Sequence, residues 1–203
     1  MNKITMIRIV FTALFLILTF QTITKADDIS EFEIEGISIG DSLFDHITKV
    51  QFKEWEQYKH YYKGNKFAVT PCLYPAQQYD QIGCTYKLVD DENYKIFGIN
   101  GTIKYPDNIK DCLNKKEEVS KEFKNFLKDT TVNDYGTFVH GADLTGDSKQ
   151  TVIDFNFKNG GYIRVACHDW SNKLSVEKGW TDEFKVFITS KELEDFINNE
   201  AYN

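Results

Sequence analysis

Residues 151–167 read TVIDFNFKNGGYIRVAC, and this stretch decides the fold class. Ile153, Phe155 and Phe157 alternate with other residues, and Ile163, Val165 and Cys167 alternate back. Period-2 alternation sends successive side chains to opposite faces of a strand. Between the runs, Asn159-Gly160 is a tight-turn pair, since both residues tolerate the positive φ of hairpin turns. The stretch predicts an antiparallel hairpin with one apolar face. Tyr162, Arg164, Ala166 and His168 then fall together on the other face.

The same reading extends in both directions. Lys66–Tyr74, Tyr79–Leu88 and Tyr94–Ile103 read as strands, with Ile82, Cys84, Tyr86 and Leu88 on one face and Phe97, Ile99 and Ile103 on another. Phe184, Val186 and Ile188 mark a late strand. Phe32, Ile34, Ile37 and Ile39 mark an early one, broken by Gly36. Three helices are expected. A short one starts at Asp41 or Ser42 with Leu43, Phe44 and Ile47 inward, followed by a turn or two over Val50–Tyr58. The long one spans 108–128, where Ile109, Cys112, Leu113, Val119, Phe123, Phe126 and Leu127 recur at three- and four-residue steps. The last follows the Thr189-Ser190 cap and presents Leu193, Phe196 and Ile197. Asp129–Ser148 reads as a long loop. The order β–α–β–β–β–α–β–β–β–α predicts an α+β fold, an antiparallel sheet of hairpins with one long and two shorter helices packed on it.

The first 26 residues have the order of a secretory signal peptide. Lys3 and Arg8 precede the apolar run Ile9–Phe20, and Gln21–Ala26 ends in small residues, which predicts cleavage after Ala26. The run is shorter than the ~20 residues of a spanning helix, and no second one follows, so no membrane span is expected in the mature chain. Cleavage would remove three positive charges and no acid, taking the net charge from −7 to −10. Residues 27–203 are of single-domain length and contain no Ser/Gly-rich linker. The acidic balance excludes nucleic acid and anionic membrane as partners, since both need a basic face. The expected location is the periplasm or the exterior. There the four cysteines, Cys72, Cys84, Cys112 and Cys167, are expected as disulfides. Cys112 lies on the apolar stripe of the long helix and Cys167 on the apolar face of its strand. That favours Cys112–Cys167 and leaves Cys72–Cys84 across neighbouring strands.

Two clusters resemble functional motifs. Residues 36–43 read GISIGDSL. Gly36-Ile37-Ser38-Ile39-Gly40 fits the nucleophile-elbow pattern, which needs a strand–turn–helix on a parallel sheet. Gly40-Asp41-Ser42-Leu43 resembles the opening block of the GDSL hydrolases, which implies Ser42 as nucleophile and a downstream Asp-x-x-His. None of the four histidines has an Asp three residues before it. The same residues can serve backbone chemistry instead, with Gly40 making the turn and Asp41 or Ser42 capping the helix. The second cluster is His168-Asp169-Trp170. With Tyr162 and Arg164 it forms a candidate binding surface in which Trp170 is an apolar anchor. Asp143–Ser148 lacks the spacing of a calcium loop, and no metal or cofactor is expected.

The segments Glu35–Leu43 and Val165–Trp170 resemble those of uncharacterised exported proteins of AT-rich marine bacteria, a resemblance that implies no activity. A strand, a Gly turn and a short helix ahead of hairpins is also similar to small periplasmic protein-binding modules. The outer-membrane assembly lipoproteins and the β-lactamase inhibitor protein are examples, although position 27 is not the lipid-acceptor cysteine of the former. The functional expectation is a non-catalytic, disulfide-stabilised exported binding domain. Its partner would be another exported protein or a small ligand, met on the second group of hairpins or the Asp129–Ser148 loop. The alternative is a small secreted GDSL-like esterase using Ser42 or Ser38 with a histidine such as His168.

Overall fold

The computed structural model describes residues 28–88 and 93–201. The proposed signal peptide and its cleavage site at Ala26 lie outside the described residues. The chain runs β1 (Glu33–Ile34), β2 (Ile37–Ser38), α1 (Lys49–Glu54), β3 (His60–Tyr61), β4 (Phe67–Leu73), β5 (Gln81–Lys87) and β6 (Ile96–Lys104). It continues through α2 (Ile109–Phe126), β7 (Thr131–Val139), β8 (Lys149–Asn156), β9 (Tyr162–Asp169), α3 (Asn172–Lys178), β10 (Glu183–Thr189) and α4 (Lys191–Asn199). β1 and β2 form a small hairpin, and the other eight strands form one sheet in the order β3-β4-β5-β6-β10-β9-β8-β7. Every neighbouring pair is antiparallel, so the α+β expectation holds.

The sheet consists of two meanders, β4-β5-β6 and β7-β8-β9, joined by the last strand. β10 pairs with β6 on one side and β9 on the other. Its Phe184, Val186 and Ile188 enter the main core, with Ile153, Phe155, Ile163 and Val165 of the second meander and Ile82, Cys84 and Ile99 of the first. Burying a side chain of this size contributes about 1.5–3 kcal/mol, so β10 anchors both halves at once.

α2 covers this core. Asn108 caps it by accepting from the Asp111 N–H, and Cys112 is fully buried against β9. Its apolar stripe is narrower than the sequence suggests. Leu113 and Phe126 are exposed, while Lys116 and Ser120 lie on the buried side. Burial lowers the Lys116 ammonium from its ordinary value, and the Asp134 carboxylate partly offsets this. The early apolar run is a hairpin, turned by Glu35 and Gly36 at φ 52° and 80°. The Glu35 carboxylate accepts from the backbone N–H groups of Gln77, Gln78 and Tyr79, which ties this hairpin to the loop before β5.

Three expectations need correction. Asp129–Ser148 is not a loop throughout, because Thr131–Val139 forms the outer strand β7. Its alternation is hidden by a bulge between Asp134 and Gly136, with Gly136 at φ 62°, and by exposure along nearly its whole length. Phe97 does not share a face with Ile99. A bulge at Thr85/Tyr86 pairs Tyr86 with Ile96 and Thr85 with Gly98, so Phe97 points away from the main core. It joins Phe67, Leu193 and Phe196 in a second, smaller cluster under α4. Finally, there are four α-helices. α3 was missed because only Leu174 is buried along it.

Both disulfides form, Cys72–Cys84 and Cys112–Cys167, with Cα–Cα separations of 5.7 and 6.0 Å. They close segments separated by 12 and 55 residues. Chain entropy assigns about 3 and about 4 kcal/mol to loops of those sizes. Replacing Cys112 and Cys167 together by Ala should therefore lower the unfolding free energy more than replacing Cys72 and Cys84. Urea titration of the two double variants checks the order, and the reverse order would mean the longer loop is already constrained in the unfolded chain.

Candidate functional site

The sheet has one face under α2 and one largely open. α4 covers only part of the second face, seated on Gly98, where an added Cβ would lie 2.6 Å from Leu193. Beside it the open face forms a depression of about 910 Å³. The strand registers lay its residues out in rows across the sheet. One row runs Lys104, Glu183, His168, Gln150 over β6, β10, β9 and β8. The next runs Gln81, Thr102, Lys185, Ala166, Val152 from β5 to β8. The third runs Gly83, Asn100, Phe187, Arg164, Asp154. The alternation of residues 162–168 thus places Tyr162, Arg164 and His168 together, as expected. Their neighbours on β5, β6 and β10 come from elsewhere in the chain.

Among the described residues, the charges on this face are compensated within the protein except for Lys104, which is exposed at the end of its row. Arg164 grips Asp154 with two hydrogen bonds, Nε–Oδ1 at 2.7 Å and Nη2–Oδ2 at 2.8 Å, and lies over the Tyr162 ring. Such a paired fork is stronger and more directional than a single contact. The Asp154 side chain is only 4% exposed, so removing Arg164 would leave a buried charge. Glu183 accepts from His168 Nδ1 at 3.2 Å and from Lys185 Nζ at 2.6 Å. Burial would raise the Glu183 carboxyl, but His168 and Lys185 outweigh it and hold it below the ordinary range.

At the end of this face the chain builds an aromatic cluster. His140, which follows β7, packs its ring 5.0 Å from His168 and 4.4 Å from Trp170, and Trp170 stacks on Trp180 at 4.4 Å. Trp170 is therefore a wall of the cluster, not a free anchor. The loop behind it is pinned by Asp143, which accepts from Thr145 N and Oγ1, from Ser148 N and Oγ, and from the Ser171 Oγ that caps α3. These donors hold its carboxyl well below the usual range, with Ser148 the leading cause. The Asp143–Ser148 stretch is thus a hydrogen-bonded brace. Nothing in the local pattern singles out His140, which is 28 positions from His168 in sequence and reaches it only through the β7–β8–β9 register.

The serine motifs are arranged differently. Ser42 caps a short 3-10 turn, accepting from the Phe44 N–H while its Oγ donates to the Asn93 carbonyl at 2.8 Å. With Asp45 it completes a capping box, so its proton is committed to a backbone carbonyl. Asp41 accepts from the Ser38 N–H and from His46 Nε2, both at 2.9 Å. The neighbouring Ile37 and Leu43 belong to the core under α2, whereas His168 lies on the other face of the sheet. The structure therefore does not bring His168 to Ser42 or Ser38. Among the described residues, no group of three or more His, Cys, Asp or Glu is placed to hold a metal ion.

No family model, curated protein or solved structure matches this chain.

The histidine pair makes stability depend on pH. Burial, helped by His168, brings His140 down to about 4, and burial also lowers His168, although Glu183 pulls the other way. In the unfolded chain each ring titrates near 6.5. Between about pH 6.5 and 4 the unfolded chain thus binds more protons. Stability is full above this window and falls as the pH drops through it. The urea midpoint should fall between about pH 7 and about pH 5. His140→Asn, whose side-chain oxygen can still accept from the Ala142 N–H, should flatten part of that fall. An equal fall in both proteins would show that His140 is as hydrated folded as unfolded.

Proposed function

We propose that this protein is a non-catalytic, exported binding domain whose site is the open face of the sheet. The depression of about 910 Å³ on that face carries the reading. It is large enough for a ligand, and its wall residues come from seven of the eight strands of the sheet, β7 excepted. A sheet face left uncovered over such an area, in a domain whose other face carries α2 and only a smaller cavity of about 180 Å³, supports a contact surface. His168, Arg164 and Tyr162 lie on it, and Trp170 supports it through His140.

The commitment of the Ser42 hydroxyl to backbone contacts favours binding over hydrolysis. A serine nucleophile needs a base within hydrogen-bond reach, and the Ser42 proton goes to Asn93 instead. Export is supported by the composition of residues 1–26 and by two disulfides, which form and persist in oxidising compartments. Among the described residues no helix is long and apolar enough to cross a membrane. The partner would be a small ligand or another exported protein.

The test is amide chemical-shift mapping of the isotope-labelled protein titrated with a concentrated periplasmic or culture extract. Shifts are expected at Asn100, Arg164, Lys185 and Phe187 and should diminish in a Phe187→Ala variant whose remaining spectrum is unchanged. Shifts confined to the α2 side, or no shifts at all, would sink the reading.

A further inference from the structure

We propose that the open face takes an uncharged, hydroxyl-rich ligand, an oligosaccharide laid across the strands from Gln81 to Gln150. This rests on the reading of the face as a binding site. Three observations select the ligand chemistry.

The first is the state of the charges. Arg164 is neutralised by Asp154, and Lys185 by Glu183. A small or polymeric anion would compete with carboxylates already in place, within a chain whose net charge is −7. Apart from Lys104, exposed at one corner, the charges of the face cancel in pairs, so charge is a poor basis for its selectivity.

The second is which groups remain available. Gln81 and Gln150 line the depression half-buried, and their side-chain amides make no hydrogen bond among the described residues. Asn100 uses one amide hydrogen on the Gly83 carbonyl at 3.2 Å, which leaves its oxygen and its second hydrogen. A carboxamide both donates and accepts. Each of these three can therefore engage adjacent hydroxyls of one sugar ring, which likewise donate and accept. In the third row, beside the line from Gln81 to Gln150, lies Phe187, flanked by Asn100 and Arg164 and offering an apolar platform to the C–H face of a ring. Gln81 on β5 and Gln150 on β8 are four strand spacings apart, roughly 19 Å at ~4.8 Å each. That span suits several linked sugar rings and exceeds one small metabolite.

The third is where the exposed apolar side chains lie. Protein interfaces centre on buried aromatic and aliphatic anchors. The large exposed hydrophobics of this chain, among them Tyr58, Tyr135, Phe138, Leu144, Val176 and Trp180, all lie outside the depression. A polypeptide partner would find few anchors on this face, whereas a sugar needs only one platform and several amides.

The experiment is a screen of the exported full chain against an array of neutral, carboxylated and sulfated oligosaccharides, followed by calorimetry on the neutral ligand that binds. Gln81→Ala and Gln150→Ala should each weaken binding about 5- to 10-fold, and Phe187→Ala about tenfold. Affinity should change less than about twofold between ~0.05 and ~0.5 M NaCl, as expected for uncharged contacts. Phe187→Leu, which keeps volume, guards against a folding defect and should bind between the wild type and Phe187→Ala. Binding only to carboxylated or sulfated sugars with a steep salt dependence overturns the proposal, as does binding to no sugar. If the shift mapping instead finds a polypeptide on this face, the ligand class falls while the binding site stands. If ligands bind but none of the four substitutions matters, the site itself is wrong.

Discussion

The structure depends on the placement of β10, the last strand, between β6 and β9. Each meander by itself would be a three-stranded sheet with a bare inner edge, and such edges recruit other strands. β10 removes both edges at once by pairing with each in full antiparallel register. Its alternation serves the two faces differently. Phe184, Val186 and Ile188 close the core under α2, whereas Glu183, Lys185 and Phe187 form the centre of the open face. One strand thus supplies both the cohesion of the fold and the middle of the candidate site. It arrives last in sequence, so the core is complete only when distant segments have met.

The two faces are stabilised by different physics. The α2 face is apolar and dense, tied by Cys112–Cys167 and closed on its flank by the N-terminal hairpin and the Ser42 turn. The open face mixes apolar side chains with charges, most of which answer one another: Arg164 with Asp154, and Glu183 with both His168 and Lys185. Buried or half-buried ions are tolerated only when paired in this way. The consequence for recognition is that the charges act as scaffold, and the unpaired amides of Gln81 and Gln150 are left to meet a ligand. The Asp143 brace and the His140–Trp170–Trp180 stack do for one end of the face what α4 on Gly98 does for the other.

Much of the fold was legible in local pattern. The 151–167 hairpin, the long helix and its Asn108 start, the Ser42 cap and the facing of Cys112 and Cys167 all follow from periods of 2 and 3.6 and from side-chain capping, which act over a few residues. Errors came where a local pattern is interrupted. A bulge turned Phe97 to the opposite face, and another interrupted the alternation of β7 and disguised it as loop. α3 escaped notice because an exposed short helix shows no apolar stripe. At the site, Tyr162, Arg164 and His168 were legible as one face of one strand, while His140, Lys185, Phe187, Asn100 and Gln81 were not. Trp170 was legible as an aromatic beside that strand, but its role as a wall stacked on Trp180 was not.

The sequence by itself determined the class of the fold, the facing of the cysteines and one strand of the candidate site. These depend on which side a residue points, and that is a local property. The tertiary structure alone decided the strand order, the bulges and the company each polar residue keeps across the sheet. Lateral neighbours are set by how segments as distant as β5, β8 and β10 pack and pair, and no spacing along the chain encodes that.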